Sequence, residues 1–260
     1  MKSFKILALG DICGPRGVEY LRTNLWNKRK ELQIDLVIAN GENSSEPNGI
    51  DRETAQTIFN SGVDVITTGN HVWRKSSVFS YLDDEKYILR PINYPSDNPG
   101  HGSCIIDING TKVLVINVIG EIFMDSYISP FLAIDKELSE RENQYDFAVL
   151  DIHAEATSEK LSIAWNYVDD ITAAFGTHTH VQTNDAQILD DKCAYITDLG
   201  MVGPTEGILG VEKESVIRKL KTKMMAKFEF ETKGEIRANG AVIEIDEISK
   251  KAISCKAITF

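Results

Sequence analysis

The 260-residue chain carries 39 acidic and 28 basic side chains, a formal net charge of −11, which argues against broad electrostatic binding to nucleic acid or to anionic membrane surfaces. Its length supports a sizeable core without disulfides. The four cysteines, Cys13, Cys104, Cys193 and Cys255, are scattered with no CxxC pair, so neither a zinc ribbon nor a redox couple is expected and a reducing, cytoplasmic setting is.

Residues 4–9 (FKILAL) are expected to form a buried strand ended by Gly10. The opening run leads straight into domain-like sequence without a processing boundary, and no segment has the length of a membrane span. Residues 18–30 have helical spacing. LVIAN (36–40) is a second strand, 51–61 a helix with Asp51 as its N-cap, and VDVITTG (63–69) a third strand. This alternation is the mark of a parallel sheet covered by helices. Residues 103–108 and 111–118 flank Asn109-Gly110, a strong hairpin signal. FAVLDIH (147–153), DDITAAFGTHTH (169–180) and CAYITDLG (193–200) repeat a strand-then-polar pattern. Residues 226–260 alternate apolar and polar side chains around Lys-Gly and Asn-Gly pairs that are expected to be turns, and read as antiparallel. The expected product is one α/β domain over 1–260 with a mixed sheet arrangement and a small helical excursion at 121–146.

Each apolar strand ends in side chains that ligate metals: Asp11, then Glu42 and Asn43, then Asn70 and His71, then His153, then His178 and His180. Taken singly, Asp11 reads as a helix cap, Glu42 and Asn43 as turn residues, Asn70 and His71 as a loop pair, and His153 as a buried structural histidine. Their recurrence at successive strand ends is the informative feature, because the functional crevice of an open α/β sheet lies beyond the carboxyl ends of its strands. In an extended segment His178 and His180 point to the same side, as neutral rings or around a cation. The remaining histidine, His101, lies in a turn-like NPGHG and has no assigned role. Seven candidate ligands exceed the four of a closed zinc site, and a carboxylate such as Glu42 can bridge two ions. Imidazole and carboxylate suit Fe, Mn, Zn or Co. Two such ions about 3.5–4 Å apart form the arrangement that splits phosphate esters. The early GDICGPRG lacks the Lys-Ser/Thr of a P-loop.

The ordered series GDICG, NGEN, GNHVW, DIHAEATSEK, GTHTHVQT and TDLGMVGP resembles the calcineurin-like metallophosphoesterases. More closely it resembles their bacterial YmdB-like subgroup, known for phosphodiesterase activity on 2′,3′-cyclic nucleotides. The resemblance covers nearly the whole chain. Asp11-Ile12-Cys13 lacks the histidine of the common Asp-x-His, and Glu42-Asn43 stands where GDxxD is usual; both departures match the subgroup. The fold implied is a four-layer α/β/β/α sandwich, two mixed β-sheets flanked by helices. By the same resemblance Asp11, Asn43 and His180 hold one ion, Asn70, His153 and His178 the other, and Glu42 bridges. The metals implied are two divalent or trivalent ions, Fe first, with Mn or Zn as alternatives. The resemblance implies that metal-bound hydroxide would attack a small phosphodiester, 2′,3′-cAMP among the candidates, and that His71 would protonate the leaving oxygen. The alternatives are a metal-containing regulatory or nucleotide-binding protein with little turnover, or a phosphomonoesterase. Glu155, Thr157, Ser158 and Lys160 are candidates for orienting His153 or its loop, against a solvated-loop reading. The glycine-rich 197–210 is expected to be structural, with substrate contact. The resemblance implies a homo-oligomer, as relatives of this kind often form, with no interface residue identified; no membrane or extended nucleic-acid surface is expected.

Overall fold

The computed structural model describes residues 3–260. In chain order the elements are β1 (Ser3–Leu9), β2 (Asp11–Ile12), α1 (Gly14–Leu32), β3 (Leu36–Asn40), α2 (Arg52–Asn60), β4 (Val65–Thr67), α3 (Phe79–Asp84), β5 (Ile88–Leu89), β6 (Ser103–Ile108) and β7 (Thr111–Ile119). There follow α4 (Pro130–Glu140), β8 (Phe147–His153), α5 (Thr157–Asn166), β9 (Ala173–Thr177), β10 (Gln187–Leu189), β11 (Cys193–Ile196), β12 (Met201–Pro204), α6 (Lys213–Thr222), β13 (Ile236–Asp246) and β14 (Ala252–Thr259). One sheet runs β2-β12-β13-β1-β3-β4-β5, with β14 on β13; the other runs β10-β11-β9-β8-β7-β6.

Period-two burial stacks these sheets. From β1, Phe4, Ile6 and Ala8 enter a core shared with Val113 and Val115 of β7, Val149 of β8 and Phe175 of β9. Leu7 and Leu9, on the opposite face, pack with Leu21 and Leu25 of α1 and Ile58 of α2. Beyond the second sheet, Leu114, Ile116 and Leu150 pack with Ile134 of α4 and Ile163 of α5. Three apolar cores between four layers are the α/β/β/α sandwich that the sequence implies.

The central strands β1, β3 and β4 pair in parallel, as do β7, β8 and β9. The two parallel sets end on one side, where Glu42 after β3 meets His153 at the end of β8 and the other polar strand-end residues gather. Helix α1 begins at Gly14, four residues before the expected start, because Pro15 is compatible with a first helical turn. Asp51 caps α2 as expected, its side chain accepting from the Thr54 N–H. Asn109 and Gly110, with φ of 54° and 91°, form the hairpin turn. Asn239-Gly240 does not form one: β13 runs straight through it, pairing Gly240 with Leu9. A Cβ on Gly240 would stand 2.3 Å from the Ala8 carbonyl oxygen, so that glycine serves a close strand approach. Among the described residues no helix is long and apolar enough to cross a membrane.

Candidate metal centre

Asp11 starts β2, immediately after β1. Glu42 and Asn43 follow β3, Asn70 and His71 follow β4, His153 closes β8, and His178 and His180 follow β9. The fold brings all eight into one cluster, with Asp11, Glu42, Asn43 and His153 buried and Asn70, His71, His178 and His180 half-buried around them.

His153 is fully buried, and its Nε2 is the hub of a first donor set. It lies 3.2 Å from Glu42 Oε1, 3.1 Å from Asn70 Oδ1 and 3.2 Å from His178 Nδ1. Donor atoms each roughly 2.1 Å from one ion lie roughly 3.0–3.4 Å apart, so this spacing fits a shared cation. Glu42, His153 and His178 each offer a ligand atom within 4.8 Å of the others. Burial pushes His178 down to about 3, and the neighbouring His153 adds to this, so its ring is neutral with a lone pair to give.

The second set surrounds Asp11. Its Oδ2 accepts the His178 N–H at 3.0 Å. Oδ1 is buried without a hydrogen-bond partner, with His180 Nε2 3.7 Å away. An orphaned buried carboxylate oxygen is costly unless a cation meets it. Asn43 Nδ2 lies 3.3 Å from both Glu42 Oε1 and His180 Nε2. The amide is close to isosteric end for end, so a half-turn places its oxygen there instead, as a cation requires, and turns its NH2 toward His71 Nδ1. Burial raises Asp11, opposed by His180 and His153. Glu42, which burial alone would raise, is held well below the usual carboxylate range by His153 and His71. Burial opposes charge on His153 and His180, but Glu42 raises the first, and Cys13 and Asp11 raise the second. Protons on these rings and cations between them balance the same carboxylates, and so compete.

Outer hydrogen bonds fix which ring nitrogen faces inward. His180 Nδ1 donates to the Leu209 carbonyl at 3.0 Å, turning Nε2 to the centre. His153 Nδ1 lies 2.9 Å from Thr177 Oγ1, whose hydroxyl donates to Asp151 Oδ1 at 2.8 Å. Burial pushes Asp151 up to about 7 against hydrogen bonds from Thr67 and Thr177. Gly69 leaves room for the His153 ring: a Cβ there would stand 2.2 Å from Nε2.

The family model described as YmdB-like protein matches residues 7–258. The chain belongs to the YmdB-like family. It is 37% identical to a Bacillus subtilis 2′,3′-cyclic-nucleotide 2′-phosphodiesterase over 98% of this chain and 96% of that protein. Among solved structures, a hypothetical protein from Thermus thermophilus superposes with a TM-score of 0.92 at 33% identity, covering 99% of each chain. A Mycoplasma pneumoniae phosphatase does so with a TM-score of 0.92 at 32% identity, covering 100% of this chain and 94% of that one.

In this YmdB-like chain the GTHTH turn is not extended. β9 stops at Thr177, and His178 and His180 take φ of 100° and 63°. The rings therefore diverge, His178 toward His153 and His180 toward Asp11, and do not stand side by side. The reason lies in Asp198: its Oδ2 accepts the Thr179 N–H at 3.1 Å and pairs with buried Lys160 Nζ at 2.7 Å. Lys160 also donates to the Thr177 carbonyl at 2.8 Å. Lys160 is thus an anchor of the turn, while Thr157 and Ser158 are exposed; Glu155 is exposed too, with Oε2 3.2 Å from His178 Nε2. In 197–210, Asp198 supports the turn and Leu209 orients His180. Asp198, Thr177 and Gly69 escape sequence reading, as do Asn40, whose Nδ2 lies 3.3 Å from His153 Nδ1, and a wall of aromatic rings beside Asn70 and His178. One of them, Tyr94, is pushed up to about 12 by burial and by the carboxylates of Glu42 and Asp125.

Proposed function

We propose that this chain is a dinuclear metal-dependent phosphodiesterase of small phosphodiesters, with 2′,3′-cyclic nucleotides as its substrate class. The observation that carries this is the buried, partnerless Asp11 Oδ1 beside a Glu42 carboxylate placed between two donor sets. The name of the Bacillus subtilis relative supports the substrate class. Asp11, Asn43 and His180 would hold one ion and Asn70, His153 and His178 the other, with Glu42 offering a carboxylate to each; iron would be the first choice, manganese or zinc the alternatives. When bound, the pair supplies positive charge against the phosphoryl oxygens and activates the attacking water. The protein's own part is positioning and proton transfer. Asp11, Glu42 and His153 are fully buried, so charge there acts at low dielectric. His71 delivers a proton from Nε2 to the departing 2′- or 3′-oxygen. We take residues 1–260 as one domain of a cytoplasmic enzyme, in keeping with four free cysteines.

The test is metal-reconstituted enzyme against a panel of cyclic nucleotides, linear diesters and monoesters. The reading requires the cyclic diesters to turn over fastest. Binding without hydrolysis under every metal sinks it. Faster monoester turnover favours the phosphatase reading, which the description of the Mycoplasma pneumoniae structure keeps in play.

Gly69→Ala is expected to weaken metal binding by about tenfold or more, because the new methyl group displaces the His153 ring. Calorimetric metal titration checks this, and wild-type affinity in the variant would mean that the ring has room to spare.

A further inference from the structure

We propose that the cavity beside the metal centre is a nucleobase subsite, in which the base stacks on Phe123 and Tyr127 while the phosphate rests at Asn70 and His178. This rests on the phosphodiesterase reading above. The cavity, of about 620 Å³, is lined by Asn70 and His178 together with Trp73, Tyr94, Phe123 and Tyr127. A volume of this order suits a ligand of nucleotide size, and donor atoms of the candidate centre form part of its wall.

The rings form a graded series. Trp73 and Tyr94 have centroids 5.6 Å apart, and Tyr94 and Tyr127 6.1 Å apart. Tyr94 is 5% exposed and makes a seated floor, whereas Phe123 is 88% and Tyr127 72% exposed. Large rings presented this way at a cavity edge offer stacking faces at little conformational cost. Phe123 also holds a φ of 64°, a conformation uncommon for a bulky residue and typical of ligand clamps.

The strained tip is pinned on both sides. Buried Glu159 accepts the N–H groups of Glu121 and Ile122 at 2.7 and 3.3 Å. Buried Asn93 donates to Ser126 Oγ at 2.9 Å and to the Ile128 carbonyl at 3.1 Å. These bonds fix the chain on either side of Phe123 without involving either ring. Stacking alone accepts any base and favours the larger purines. Asp125, also at the cavity, adds an acceptor for the exocyclic amino group of adenine, guanine or cytosine. Uracil has none. The expected preference is therefore purine over pyrimidine.

The test compares adenosine 2′,3′-cyclic phosphate with glycerol 1,2-cyclic phosphate, the same five-membered diester without a base, on the metal-reconstituted full chain. Wild type should favour the adenosine compound in kcat/KM by about tenfold or more. The double variant Phe123→Ala/Tyr127→Ala should lose that preference through KM, with kcat and glycerol turnover nearly unchanged. Phe123→Leu, apolar but without an aromatic face, should lose part of it. Equal wild-type activity on the two substrates, or an unchanged preference in the double variant, overturns the subsite and leaves the diesterase reading standing. Failure of wild type on both overturns that reading instead. Equilibrium dialysis of adenosine then decides the subsite separately: binding that the double variant abolishes supports it, and no binding by wild type overturns it.

Discussion

Replacing His71 by alanine is expected to slow hydrolysis of a diester with a poor leaving group by about a hundredfold, with the metal content of the protein unchanged. The ring is held from one side only. Its Nδ1 lies 2.8 Å from the Asn43 side-chain amide and 3.3 Å from Glu42 Oε1, and its backbone N–H donates to Glu42 Oε2 at 2.9 Å. Nε2 has no partner among the described residues, and the side chain keeps 24% of its surface exposed, where that of His153 keeps none. The atom turned to solvent is thus the one that can reach a departing alkoxide. An aryl ester, whose leaving group departs without a proton, should scarcely notice the change. Equal damage to both substrates, or loss of metal from the variant, would remove His71 from the role of acid.

Lys160→Met is expected to destabilise the protein by about 3–5 kcal/mol, measured by urea unfolding. The ammonium is fully buried, and its removal leaves the Asp198 carboxylate without its countercharge. Two backbone donors remain to that carboxylate, Thr179 N–H and Gly200 N–H, so the lower part of the range is the better expectation. Because the same ammonium grips the Thr177 carbonyl, metal affinity should fall with stability, as the turn carrying His178 and His180 loosens. A cost under about 1 kcal/mol would place Lys160 among groups that the fold can do without.

The gathering of these residues was legible from sequence because parallel strands end together: Asp11, Glu42, Asn70, His153 and His178 each stand at the end of an apolar run, and the topology delivers all of those ends to one side. What a strand-end pattern does not encode is backbone conformation after the strand. The left-handed φ values at His178 and His180 are imposed by Asp198 and Lys160, which lie 38 residues apart, and no local signal announces such a pair. Asn239-Gly240 illustrates the opposite error. The dipeptide has the chemistry of a turn, yet sheet pairing overrides it, since only a glycine tolerates the approach of the Ala8 carbonyl. The aromatic wall was illegible for a third reason: its rings come from three stretches far apart in sequence, Trp73 after β4, Tyr94 after β5, and Phe123 with Tyr127 between β7 and α4, and each ring alone reads as ordinary core or surface.

Metal stoichiometry and position test the account most directly. Elemental analysis of reconstituted protein, with anomalous scattering from its crystals, should find two ions per chain. One should lie among Asn70, His153 and His178, the other against Asp11, Asn43 and His180, with Glu42 touching both. A single ion, or two that share no Glu42 contact, would contradict it.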